Sequence, residues 1–455
     1  MSDQIRRAGL LVHPTSLPGP FGIGDLGAVV RELLPWMDAA RLGVWQILPL
    51  NPVDDVGCPY ASASVHASEP LLLSIDELVD AGWLLGREKP YSDGPVHAVD
   101  WPGVAARKGE ALALAADRVR ASIDLDALAQ RRPELSTYAL YHALRREQGV
   151  PWALWPEPLR HAEPRALAEA RDRLGVPWAR QLALQWLFDE QWAGVRASAA
   201  GRGIQIWGDV PFFIGWDSCD VWSEPGLWRL DDTLHPEVIS GVPPDAFSPQ
   251  GQLWGHPLFD EAAHLASGHR WWLARLARAL EAVDRVRLDH FRGIEAVWEV
   301  EAGASDARGG RWIPGPGRPL LESIAQRFPT LPFFAEDLGV ITEAVTALRR
   351  DHGLDGMVIL QFAFGGDPTH PYLPHNHRPD QVCYTGTHDN DTTLGWYLGT
   401  DEGSRDRLRR YLSCADRELP WALVGAALRS VCNTAVVPLQ DLLGLGSSAR
   451  MNLPG

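Results

Sequence analysis

Four carboxylates each stand where an apolar run turns polar: Asp209 in IQIWGDVPFF, Asp289 in VRLDHFRG, Glu336 in LPFFAEDLG and Asp389 in QVCYTGTHDND. Ending an apolar run on an acid is costly unless the acid faces polar partners or an open strand end. Any one of them alone reads as a solvated loop residue. Four in the same register on different runs read as a cluster. Paired carboxylates suit glycosidic bond cleavage, one attacking or steadying the anomeric carbon while the other protonates the departing oxygen. A retaining reaction needs the two carboxyl groups about 5–5.5 Å apart, a separation that neighbouring strands can offer. Arg287, two residues before Asp289, falls on the same side of a strand, where its cation favours the anionic nucleophile. Asp337 follows Glu336 directly and so faces the other way, which leaves Glu336 as the acid turned to the site.

Such acids need strands to aim them. The runs carrying them belong to a set of eight, starting near Gly9, Val44, Ile204, Val286, Leu331, Gly356, Gln381 and Thr434. Runs that are apolar on both faces are what a parallel sheet covered by helices requires. Between most of them lie segments such as VRELLPWMDAARLG and HRWWLARLARALEAV, with an apolar stripe at three- and four-residue spacing. Eight strands alternating with helices predict an α/β fold, a closed (β/α)₈ TIM barrel with its active site at the carboxyl ends of the strands. Two stretches interrupt the alternation. Residues from about 52 to 200 read as an inserted helical subdomain, and residues from about 215 to 259, rich in Gly, Pro, Asp and Trp, read as a loop-rich insertion above the barrel.

The totals agree with a neutral substrate. The 455 residues carry 42 Lys+Arg against 58 Asp+Glu, a formal charge of −16 that repels phosphate backbones and anionic membranes. Hydrophobic and charged contents of 45% and 22% are those of a soluble globular chain. Twenty Trp residues are either sugar-stacking platforms or filling for a large core, and composition alone does not decide. The five cysteines, Cys58, Cys219, Cys383, Cys414 and Cys432, form no CxxC pair and suggest no disulfide framework. No run of eighteen apolar residues exists, and the N-terminal apolar stretch is too short for a secretory core. The expectation is a cytoplasmic protein with no membrane or nucleic-acid partner.

Two motifs point elsewhere. GIGDLG, from Gly22 to Gly27, fits the pattern of a dinucleotide-binding turn, which would make the chain a nicotinamide-dependent oxidoreductase. It does not follow its strand directly, and no acid lies about twenty residues on, where the ribose needs one. His370, His375 and His377 in HPYLPHNH could suggest a metal, but their spacing is not that of paired zinc ligands, so they read as a polar loop at the barrel mouth.

Read from the residues alone, the chain is a retaining glycosidase or transglycosidase. A wider set of motifs resembles one family: HPTSLPGPFGIGDLG, PPDAFSPQGQLWGHPLFD, RLDHFRG, AEDLGVIT, YTGTHDNDTTLGWY and VPLQDLLGLGSSARMNLPG are similar to those of 4-α-glucanotransferases, also called amylomaltases or disproportionating enzymes. They run in the family's order from His13 to Gly455. The resemblance implies transfer of α-1,4-glucan segments with retention, without organic cofactor or required metal. The donors it implies are α-1,4-glucans and maltooligosaccharides, and the acceptors glucose or a maltooligosaccharide. It also implies Asp289 as covalent nucleophile, Glu336 as acid/base and Asp389 as transition-state stabiliser. Arg287, His388, Asp209 and Asp245 match sugar-contacting positions, and Tyr60 and Trp254 resemble aromatic contacts to the glucan. Transfer requires a sugar hydroxyl to reach the intermediate before water, a task for the loop carrying Trp254. An α-amylase-like hydrolase would use the same three carboxylates and stays the alternative.

The chain departs from the family at Cys58 and Ala61, in CPYAS where SPYQS is usual, and at His256, in WGHPLFDE where WGNPLYxW is usual. It also stops at MNLPG, where the family continues into an aromatic, Arg-containing tail, so a shortened C-terminal end is expected.

Overall fold

A computed structural model describes residues 6–54, 57–91, 98–244 and 248–453. Twelve strands follow in chain order: β1 Arg7–Leu11, β2 Val44–Gln46, β3 Gln205–Val210, β4 Val238–Val242, β5 Gln252–Pro257, β6 Arg285–Leu288, β7 Ala296–Glu301, β8 Arg311–Pro314, β9 Phe333–Ala335, β10 Gly356–Ile359, β11 Gln381–Tyr384 and β12 Thr434–Pro438. Eight of them, one from each apolar run, form a parallel sheet in the order β10-β11-β12-β1-β2-β3-β6-β9. A parallel bridge between Phe334 and Asp355 joins its two ends, so the sheet rolls up into the expected (β/α)₈ barrel.

The alternation of strand side chains builds two cores. Leu11, Val44, Trp207, Phe334, Met357, Tyr384 and Val436 fill the barrel interior. Their neighbours along the strands turn outward against the helices, as Leu10, Trp45, Ile206, Val286 and Phe333 do. Helix Arg270–Ala282 shows how this works locally: Trp271, Trp272, Arg275 and Leu276, at helical spacing, are buried against the sheet. Close packing also fixes two glycines. A Cβ at Gly9 would lie 2.8 Å from the Val44 side chain, and one at Gly208 would lie 2.9 Å from Val283.

Among the described residues, seven α-helices run between β2 and β3, the longest being Trp101–Ser122, Pro133–Gln148 and Gly175–Ala200. The Asp100 carboxylate caps the first of these, worth about 1 kcal/mol, and Gly149 at φ 68° closes the second in a left-handed turn. The region 215–259, read from sequence as loops, instead holds β4 and β5. These pair antiparallel in a four-stranded sheet of order β5-β4-β7-β8, with an irregularity between Ile239 and Gly241. Ten tryptophans, including Trp45, Trp152, Trp155, Trp207 and Trp222, are buried in the core, so the high Trp content is largely filling. Among the described residues no helix is long and apolar enough to cross a membrane.

The glycine-rich turn at Gly22–Gly27 has a structural use. The Asp25 carboxylate accepts the Gly27 N–H at 3.0 Å and lies 3.7 Å from the buried Lys108 ammonium. A carboxylate thus occupies the helix N-terminus that a dinucleotide phosphate would need.

Candidate active site

Strand register brings the acids together. Asp209 pairs with Arg287 across β3 and β6, and Leu288 pairs with Ala335 across β6 and β9. Asp289 and Glu336 are the residues that follow Leu288 and Ala335, so they leave neighbouring strands at one level, about 4.8 Å apart in strand spacing. Backbone hydrogen bonds continue past the strand ends, from Asp289 N to Val210 O at 3.0 Å and from Glu336 N to Leu288 O at 3.0 Å. The carboxyl ends of β3, β6 and β9 are therefore held as firmly as the sheet itself.

Arg287 is the centre of the charge network. Its Nη1 donates to Asp209 Oδ2 at 2.6 Å, and its Nη2 lies 2.8 Å from Asp289 Oδ1. The Tyr60 hydroxyl donates to the same Asp209 oxygen at 2.8 Å and lies 2.8 Å from His388 Nε2. The Tyr60 and His388 rings stack, with centroids 5.4 Å apart and planes 7° apart. His388 Nε2 in turn approaches Asp389 Oδ2 at 3.2 Å. One connected chain of polar contacts thus joins Tyr60, Asp209, Arg287, Asp289, His388 and Asp389.

Glu336 stands beside this chain with a different environment. Among the described residues its Oε1 accepts from the Leu338 N–H, at 3.2 Å. Burial pushes its carboxyl well above the ordinary carboxylate range; Arg287 opposes the shift, and Asp289, Asp337 and Asp389 add to it. For Asp389 burial acts in the same direction but loses to His388, Arg287, Asn452 and Arg450, which together hold its carboxyl below the ordinary range. Burial also raises Asp209 against the pull of Arg287. Two neighbouring carboxyls pushed in opposite directions, one toward the acid and one toward the anion, are the arrangement that acid–base catalysis on a sugar requires.

Asp337 turns away, as its position next to Glu336 dictates. It accepts the Met357 N–H at 2.7 Å and pairs with Arg349 at 3.0 Å, so its role is to fix β9 against β10.

The loop after β11 is tied from both sides. Asp441 accepts from Thr385 Oγ1 at 2.6 Å and from the Thr393 amide and hydroxyl, both at 2.7 Å. From the C-terminal segment, Asn452 Nδ2 donates to Asp389 Oδ1 at 2.9 Å and Arg450 Nη2 donates to the Asp389 carbonyl at 2.9 Å. Sequence reasoning missed these last two. They belong to the VPLQDLLGLGSSARMNLPG run that carried part of the family resemblance, but no spacing ties Asn452 to an acid 63 residues earlier.

Trp254 lies on β5, half-buried, with its ring edge-on to His290 at 4.8 Å and near Phe213 at 6.2 Å. His290 directly follows Asp289, has φ 45°, and burial lowers it to about 4, so it is neutral at working pH. His256 stacks on Phe213 at 6.2 Å, and burial lowers it likewise to about 4. Cys58 precedes the 3₁₀ turn Pro59–Ala61 that carries Tyr60. Asp245 lies outside the described residues. Of the histidine-rich loop, His375 is exposed while His377 is buried against Ser430, so this loop is only partly the polar one read from sequence.

Comparison with known proteins places this geometry. A family model described as 4-alpha-glucanotransferase matches residues 12–455. A 4-alpha-glucanotransferase of Thermus thermophilus is 42% identical over 473 aligned residues, covering 99% of this chain and 93% of the relative. A chloroplastic/amyloplastic 4-alpha-glucanotransferase of Solanum tuberosum is 41% identical, over 99% of this chain and 80% of its own. Among solved structures, the amylomaltase of Streptococcus agalactiae in complex with acarbose superposes with a TM-score of 0.94 at 31% identity, covering 99% and 93% of the two chains.

Proposed function

Because the chain belongs to the 4-alpha-glucanotransferase family, which is its enzymatic activity, we propose that Asp289, Glu336 and Asp389 carry the transfer by retaining double displacement. The observation behind this assignment is the contact network around Arg287, which ion-pairs Asp289 beside a Glu336 whose carboxyl burial pushes well above the ordinary range.

In the first half-reaction Glu336 gives its proton to the glycosidic oxygen while an Asp289 oxygen attacks the anomeric carbon. The carbon–oxygen bond to the leaving glucan breaks and a glucosyl ester to Asp289 forms. Asp389, held anionic, stabilises the positive charge that develops on the ring between these events. In the second half-reaction the ionised Glu336 takes the proton of an acceptor hydroxyl, which displaces Asp289 and restores the α-linkage. Arg287 keeps both Asp209 and Asp289 in place through the cycle, and the stacked Tyr60 and His388 form one wall for the sugar at the point of cleavage.

The substrates in this reading are α-1,4-glucans or maltooligosaccharides as donor, and glucose or a maltooligosaccharide as acceptor. Trp254 and Phe213 lie beside His290, the residue after Asp289, where an acceptor glucan could exclude water from the ester. A cytoplasmic setting suits the five free cysteines. The test is incubation with maltotriose, following glucose, longer oligosaccharides and total reducing ends together. Glucose plus a ladder of longer chains at constant reducing ends supports transfer. Rising reducing ends without longer products would mean hydrolysis on the same scaffold.

A further inference from the structure

Behind β11 and β12, on the helix side of the barrel wall, three groups distant in sequence meet. His377, Cys383 and Cys432 are all buried, and a ring nitrogen of the first and the two sulfurs lie within 4.8 Å of one another. Cys383 sits on β11 with its side chain turned away from the barrel interior that Tyr384 faces. Cys432 comes just before β12, and His377 follows the 3₁₀ turn Pro374–Asn376. Val358, Leu408, Leu423 and Ala427 close the surroundings with apolar atoms.

The histidine is oriented for coordination. His377 Nε2 lies 2.8 Å from the Tyr372 carbonyl oxygen, which can only accept, so Nε2 carries the ring proton. The lone pair is thereby left on Nδ1, where the Ser430 hydroxyl donates to it at 2.7 Å while its oxygen accepts the Cys432 N–H at 3.2 Å, so an ion would take the place of that hydroxyl proton. A second ring nitrogen tied to a backbone carbonyl is the usual way a protein fixes a metal-binding imidazole.

We propose that His377 Nδ1, Cys383 Sγ and Cys432 Sγ bind one zinc ion, with the Ser430 hydroxyl or a water at the fourth corner. Two thiolates and a neutral imidazole give a site of charge −2, which a divalent cation cancels. A neutral complex is the form an apolar interior tolerates, and this favours zinc over monovalent copper. On binding, both thiols lose their protons to solvent, while His377 keeps the proton on Nε2. The ion would tie β11 at Cys383, six residues before Asp389, to the turn leading into β12. It is structural, and lies outside the carboxylate network that performs transfer.

The experiment uses the full chain, reduced and stripped with a chelator, titrated with Co²⁺ as the probe. One equivalent of Co²⁺ is expected to produce thiolate-to-cobalt charge transfer and intense tetrahedral d–d bands, both bleached by Zn²⁺. Cys383→Ala and Cys432→Ala should each abolish the bands while maltotriose disproportionation stays within about twofold, as for sites remote from the reacting atoms. X-ray absorption of the zinc-loaded wild type, which needs no variant to fold, should give two sulfurs at about 2.3 Å and one nitrogen at about 2.0 Å. Wild type that is active but shows no cobalt bands overturns the proposal. So do bands that survive either substitution, or a Cys383–Cys432 disulfide in the untreated protein.

Discussion

Arg287 and Asp289, two residues apart on one strand end, form an ion pair of 2.8 Å while the other Arg287 nitrogen holds Asp209 at 2.6 Å. The guanidinium fork therefore sets the spacing between two carboxylates on neighbouring strands. A lysine, a single point charge, cannot serve both. Arg287→Lys is expected to lower kcat/KM on maltotriose by about a hundredfold, about 2.7 kcal/mol, with the chain still folded by circular dichroism. A loss below about threefold would remove Arg287 from the catalytic account.

Glu336 links activity to stability. Burial raises its carboxyl well above the ordinary range, so the native state holds this proton more tightly than the unfolded chain does. Native stability contributed by this group is therefore intact below the ordinary carboxylate range and declines as pH rises toward the raised value. Glu336→Gln cannot titrate. Its melting temperature should exceed that of wild type by a margin that is small in acid and widens toward neutral pH, while kcat falls by about 10²–10⁴. Melting curves across pH, with equal margins throughout, would count against a raised Glu336.

The same shift shapes the rate profile. As first proton donor, Glu336 must be protonated, and Asp389, held low by His388, Arg287, Asn452 and Arg450 against burial, must be anionic. The profile of kcat/KM should be bell-shaped, with its alkaline limb well above the ordinary carboxylate range. A donor with a leaving group that needs no proton should lose the alkaline limb.

Asn452 touches no sugar in this account; it acts by positioning Asp389 through the 2.9 Å bond to Oδ1. Asn452→Ala should lower kcat about tenfold with little change in KM, and should move the acid limb upward because one stabilising donor to the anion is lost. Asn452→Asp, which cannot donate, should do worse than Ala. A variant with altered KM and unaltered pH profile would indicate a binding role instead.

Trp254 tests the preference for transfer. It stands edge-on to His290, the residue beside the nucleophile, at 4.8 Å. Trp254→Ala should weaken acceptor binding by about 1 kcal/mol, roughly fivefold in acceptor KM, and increase reducing-end release relative to longer products.

Much of this site was legible in the sequence because of how a barrel works. Strands apolar on both faces stand out, and an acid that ends such a run marks a strand's carboxyl end, which is how Asp209, Asp289, Glu336 and Asp389 came to notice. Period-two geometry placed Arg287 with Asp289 and turned Asp337 away, and their partners in the structure are Asp289 and Arg349 respectively. The antiparallel sheet was not legible. Its β4 and β5 are short, interrupted by glycines and irregular between Ile239 and Gly241, so they carry no clear alternation. Nor could spacing reveal contacts made only by folding. Asn452 reaches Asp389 across 63 residues, and His377 reaches Ser430 across 53. His377 therefore read as part of a polar loop when its ring is buried.

The covalent step on Asp289 is the centre of the account, and one trapping measurement addresses it. A maltosyl fluoride of α configuration carries a leaving group that needs no proton, so Glu336→Gln should still form the ester yet lack the base that discharges it. Intact-protein mass spectrometry should then show one added maltosyl unit, and peptide mapping should place it on Asp289. An unmodified protein that nevertheless consumes the fluoride, or an adduct on any other residue, would contradict the mechanism.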